Sequence, residues 1–87
     1  MSELLAVGTT AATSSDFSLT GEATSLLLTA TTALLAGSRI AIQAKTAAGV
    51  YIHIGELDPS TPLLVLSAPG TYRVSRLAGV ACGADRT

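Results

Sequence analysis

Between Ser38 and Leu77 apolar and polar residues alternate with a period of two. Ile40, Ile42 and Ala44 fall on one face, with Arg39, Gln43 and Lys45 on the other. Val50, Ile52 and Ile54 then alternate with Tyr51, His53 and Gly55, and Tyr72 and Val74 with Thr71, Arg73 and Ser75. This spacing predicts antiparallel strands with one face buried and the other wet. The apolar set of each strand is expected inside, and Arg73 and Arg76 are expected to face out.

The punctuation between these runs agrees with strands. Lys45 to Val50 reads as a hairpin in which Gly49 takes positive φ without a Cβ clash. Asp58-Pro59-Ser60-Thr61-Pro62 reads as a loop, because neither proline has an N–H to give to a ladder. Leu63 to Ser67 is a short apolar strand, suited to burial on both faces or to cover by a neighbour. Ala68-Pro69-Gly70-Thr71 fits a type II turn with φ > 0 at Gly70. Tyr72 to Arg76 is the next strand, Ala78-Gly79 a turn, and Val80 to Ala84 a last short strand.

Towards the N-terminus, residues 3–7 (ELLAV) form an arm or a first short strand, and Gly8 to Ser15 a loop or mobile connector. Asp16 to Thr20 alternates with Phe17 and Leu19 inward, and Gly21-Glu22 makes a turn. Ala23 to Ala36 has two readings. As a strand, Leu26 and Leu28 share a face. As a helix, Leu26, Leu27, Ala30, Ala33 and Leu34 make a stripe that Gly37 ends. The β-branched Thr24, Thr29, Thr31 and Thr32 favour a strand followed by a loop. Seven or eight short strands with turns about every 8–12 residues predict an all-β fold. The expected architecture is a small antiparallel β-sandwich or jelly-roll-like barrel over residues 16–87, preceded by residues 1–15 as arm or first strand plus linker.

Composition narrows what such a domain does. The chain has 87 residues, enough for one domain. One Phe, two Tyr and no Trp leave Leu, Ile, Val and Ala to build the core. Charged residues make up 13% of the chain, against about 25% in an ordinary soluble domain. With a net charge of −1, copies repel one another weakly. This surface suits either a lightly charged monomer or a subunit covered by copies of itself or a partner. The five basic residues, Arg39, Lys45, Arg73, Arg76 and Arg86, are scattered, which argues against nucleic acid as a partner.

Cys82 is the only cysteine. It forms no disulfide within the chain and reads as a small buried apolar residue. MSELLAVGTT has no basic segment followed by a long apolar run, so no signal peptide is expected. The apolar-leaning run from Leu26 to Ala36 falls well short of the roughly 20 residues that cross a bilayer. No membrane partner is expected, and folding is expected in the cytoplasm of the producing cell.

His53 is the single histidine, with Glu56 and Asp58 near it in sequence. By strict alternation His53 shares a face with Tyr51 and Gly55 while Glu56 takes the other, so the two do not meet unless the strand is broken. A Ser–His–Asp arrangement would need His53 with Asp16, Asp58 or Asp85, and no nucleophile-elbow turn is present. Phosphate-loop, dinucleotide and paired-histidine motifs are also absent from the sequence. The expectation is a non-enzyme with no catalytic, cofactor-binding or metal residues. Arg73 and Arg76 could pair with Glu56 and Asp58 across an interface, a contribution of about 0–1 kcal/mol per exposed pair. A carbohydrate- or peptide-binding module is the alternative. Its only aromatic candidates are Tyr51 and Tyr72, and Tyr72 shares the core face of Val74.

Three runs, DFSLTGEATSLLLTA, RIAIQAKTAAGVYIHIGEL and PLLVLSAPGTYRVSRLAGVACGADRT, together resemble short accessory proteins of tailed bacteriophages. In that pattern a strand like Ile40 to Lys45 leads through a glycine-containing hairpin to a strand ending Gly55-Glu56-Leu57. A Gly70-Thr71-Tyr72-Arg73-Val74 strand follows, and the chain closes near Gly83-Ala84-Asp85-Arg86. The resemblance spans residues 16–87, although each piece is ordinary hairpin chemistry. It implies a structural protein of the virion, a capsid decoration (cement) protein or a small head- or tail-fibre component. It also implies a homo-oligomer, with a trimer favoured, resting on the major capsid protein or other virion proteins.

Overall fold

The structure, a computed structural model, describes residues 2–30 and 36–87. It contains nine strands: β1 (Ser2–Gly8), β2 (Ala12–Thr13), β3 (Phe17–Leu19), β4 (Thr24–Thr29), β5 (Ile40–Lys45), β6 (Tyr51–Leu57), β7 (Leu63–Leu66), β8 (Gly70–Arg76) and β9 (Cys82–Arg86). All pairings are antiparallel. One sheet has four strands in the order β1-β9-β4-β7. The other has five, β2-β8-β5-β6, with β3 also on β8. The fold is all-β, a small sandwich of two antiparallel sheets, and no helix occurs among the described residues.

Period-two burial makes the sandwich. In β4, Thr24, Leu26 and Leu28 are buried while Ser25, Leu27 and Thr29 are partly exposed, which settles residues 24–29 as strand. The part of the helical stripe carried by Ala33 and Leu34 lies outside the described residues. Leu26, Ile40, Ile42, Leu57 and Val74 form the fully buried centre, drawn from both sheets. Phe17 and Tyr72 close one end, their ring centroids 6.0 Å apart. The Tyr72 hydroxyl donates to the Ala68 carbonyl at 2.7 Å, so the ring is buried with its polar tip satisfied.

Residues 2–8 and 12–13 belong to the two sheets. Leu5 in β1 is buried in the core, and β1 forms the outer strand beside β9. The Gly8–Ser15 stretch, expected as a loop or mobile connector, instead contains β2. Ser14 extends that edge: its N–H donates to the Val74 carbonyl at 2.8 Å, and its hydroxyl accepts from the Val74 N–H at 3.0 Å. β2 and β3 are thus two halves of one interrupted edge strand along β8.

The turns are partly as expected. Gly49 has φ 83° and donates to the Thr46 carbonyl, while the Thr46 N–H reaches Val50, a short hairpin loop closed by a left-handed glycine. Gly70 differs. It has positive φ, but at 155° it is far from the roughly +80° of a type II turn. It begins β8, and a bend at Ala68-Pro69 makes the connection.

Candidate functional site

The outer face of the five-stranded sheet gathers Asp16, Arg39, Lys45, Glu56 and Arg73, and a β-bulge arranges part of this set. Ile42 pairs with Gly55, but the next pair is Gln43 with His53, which leaves Ile54 without a partner. Gly55 and Leu57 therefore face the core opposite Ile42 and Ile40, while both Glu56 and His53 face out opposite Ala41 and Gln43. The expected separation of His53 and Glu56 onto opposite faces is corrected by this break. His53 Nε2 lies 3.6 Å from the Glu56 carboxylate, which also accepts from Arg39 Nε at 2.8 Å. A bulge inserts one residue and restarts the alternation, and nothing at Ile54 announces it.

Beside this triad, a polar strap runs across the sheet. The Tyr51 hydroxyl donates to the Asp16 carboxylate at 2.7–2.8 Å, joining β6 to the residue before β3. The Arg73 guanidinium lies 3.4 Å above the centre of the Tyr51 ring and donates from Nε to Gln43 Oε1 at 2.7 Å. Lys45 is 3.9 Å from Asp16. The hydrogen bond to Asp16, reinforced by its charge, holds the Tyr51 phenol above its ordinary ionisation range. Between triad and strap lies a shallow hollow of about 250 Å³, lined by Arg39, Ala41, Gln43, His53, Glu56, Ser75 and Leu77.

Arg76 is the largest departure from expectation. It is not outward-facing: it is 5% exposed. Nε donates to the Thr10 carbonyl at 2.8 Å, and Nη1 to the carbonyls of Ala6 and Cys82, each at 2.7 Å. The guanidinium thereby clamps the β1–β2 connection to the start of β9. Its parity with Tyr72 and Val74 on β8 was the signal for burial, and its charge concealed it. Glu56 is taken by Arg39 and His53. Asp58 spends its carboxylate on the N–H groups of Ser60 and Thr61, at 3.0 and 2.7 Å. The buried Arg76 is thus withdrawn from the cross-interface pairs expected for it, whereas Arg73 faces outward beside Gln43 and Tyr51.

Among the described residues none of Asp16, Asp58 and Asp85 pairs with His53, whose acidic neighbour is Glu56. Among the described residues no three His, Cys, Asp or Glu side chains are grouped to hold a metal ion. Cys82 is buried.

The apolar surface lies elsewhere. On β7, Leu63 and Val65 are 53% and 56% exposed, with Leu63 paired to Leu27 of β4. On β6, Val50 at the preceding loop, Ile52 and Ile54 are also about half exposed. They were expected inward as one set. Ile52 keeps the inner register opposite Ala44, but β6 is an edge strand and leaves it uncovered, and the bulge displaces Ile54. β6 and β7 are both sheet edges, connected by residues 58–62. No protein-family model, curated protein or solved structure matches the chain.

Proposed function

We propose that this chain is a structural protein of a tailed-phage particle, a capsid decoration (cement) protein that self-associates and works in the virion without catalysis. The observation that carries the reading is the uncovered apolar side of the sandwich, where Ile52 and Ile54 on β6 and Leu63 and Val65 on β7 stand about half exposed. Natural proteins usually protect sheet edges with lysine, proline or cover. Here β7 is Leu63-Leu64-Val65-Leu66, without a charge. Exposed apolar residues that cluster, rather than standing singly, mark contact sites on many proteins. A small core whose partner binds only the folded state also gains stability by mass action. The resemblance of residues 16–87 to phage accessory proteins supplies the setting. Mass spectrometry of purified particles, together with light scattering on the isolated protein, tests the reading. A strict monomer missing from particles sinks it.

The alternative, a carbohydrate- or peptide-binding module, draws support from the hollow beside His53. Against it, Tyr51 has one ring face under Arg73 and its hydroxyl on Asp16, so it offers a poor stacking platform. A glycan array with no hit removes that alternative.

A further inference from the structure

The two outer faces of the sandwich differ in a complementary way. On the four-stranded sheet the outward positions of one cross-strand row are Glu3, Asp85, Leu27 and Leu63. Val65 lies two residues further along β7. Glu3 pairs with Asp85 in register, two like charges side by side, an unfavourable arrangement. Among the described residues neither has a salt-bridge partner. This face therefore carries two negative charges beside a leucine–valine stripe. On the five-stranded face, Arg39, Lys45 and Arg73 against Asp16 and Glu56 leave one positive charge with His53 neutral. Its hollow is rimmed by Leu77, which is 78% exposed, and Ile54 stands at the adjacent free edge.

We infer that these two surfaces dock on each other between copies: the Glu3–Asp85–Leu27–Leu63 face of one copy sits on the hollow and Leu77 of the next. The inference rests on the proposed self-association and specifies its geometry. Two four-stranded faces meeting symmetrically would bring four carboxylates into one interface, which like-charge repulsion opposes. Pairing unlike faces instead sets Glu3 and Asp85 toward Arg39 at the rim of the hollow and buries the apolar stripe against Leu77. Such a contact is heterologous, with a different patch on each copy, so each copy keeps a free face for another.

Complementation between variants tests this. Leu63→Asp blocks one face and Leu77→Asp the other, both at exposed positions, with circular dichroism and melting confirming that each variant folds. Sedimentation should show wild-type protein growing beyond a dimer with concentration and weakening about tenfold from low to high salt. Each variant alone should be monomeric, and an equimolar mixture should form a one-to-one dimer and stop there. A mixture that stays monomeric, a wild type that stops at a dimer indifferent to Leu77→Asp, or a wild type that never associates overturns the inference. Asp85→Lys is a second, milder probe: association should fall, and unchanged affinity counts against the docking. Particle mass spectrometry reads separately. Presence in particles with failed complementation defeats only the docking, and successful complementation with absence from particles defeats only the virion reading.

Discussion

The five-stranded sheet is tied together on its wet side, where Tyr51, Asp16, Arg73 and Gln43 interlock. The four-stranded sheet is held by backbone fit around Gly83, where β1 folds over β9, and from within by the Arg76 clamp. At Gly83 a Cβ would sit 2.5 Å from the Leu5 carbonyl and 2.9 Å from both Thr29 Oγ1 and the Val7 nitrogen. β1 is out of regular register there, with Leu5 opposite Ala84 and Gly8 opposite Cys82, and the extra residues fold over the glycine. A sheet fastened by its own backbone and by one buried guanidinium needs no side-chain lacing outside. Its outer face is therefore free to carry Leu27, Leu63 and Val65, whereas the laced face carries charge.

Changes to the backbone fit and to the buried clamp should therefore be severe, and changes to the side-chain strap mild. Gly83→Val should be the most damaging, destabilising by about 4 kcal/mol or preventing folding, because backbone cannot retreat as a side chain can. Guanidinium unfolding measures it, and a loss under 1 kcal/mol would break the comparison. Arg76→Met keeps much of the side chain's apolar length but leaves the Ala6, Thr10 and Cys82 carbonyls without their donor. A loss of about 3 kcal/mol is expected, and hydrogen exchange should quicken first in β1.

Gly70→Val comes next. At φ 155° a β-branched residue is strained, and about 2 kcal/mol should be lost, read as a lower melting temperature. The smallest effect belongs to the external strap. In Asp16→Asn the Tyr51 phenol should titrate nearer its ordinary value of 10, followed by ultraviolet absorbance. The sign follows from linkage: a phenol whose folded-state pKa is raised holds its proton more tightly when folded. Its contribution is complete below the unfolded value and is lost as pH rises through the folded one. A Tyr51 titration that does not move in Asp16→Asn would show that the strap is not formed in solution.

Much of this architecture is legible in the chain. The period-two runs at Ile40, Ile42, Tyr72 and Val74 place their strands and buried faces, and Gly49 places its hairpin. What escapes reading is whatever depends on a distant partner. The bulge at Ile54 arises from the match of β6 to β5, and it moves His53 beside Glu56 without a local mark. Arg76 carries the parity of a core residue, but its burial depends on carbonyls contributed by residues 6, 10 and 82. Gly83 resembles any strand glycine until β1 is laid over it. The apolar residues of β7 were readable as a strand, though not as an exposed one, because exposure depends on which strands lie at the edge.

The place of β9 has a consequence for when the protein folds. It is the last of the nine strands along the chain, yet it sits between β1 and β4 and offers Cys82 to the Arg76 clamp. At about 5–20 residues per second, roughly 4–16 s separate the synthesis of β1 from that of β9. Throughout that interval β1 has no neighbour in its sheet, and β4 has only β7. The five-stranded sheet, complete by residue 76, is free to assemble first, so a chain truncated before residue 82 should hold one laced sheet, an unpaired β1 and a β4–β7 pair that lacks the strand joining them.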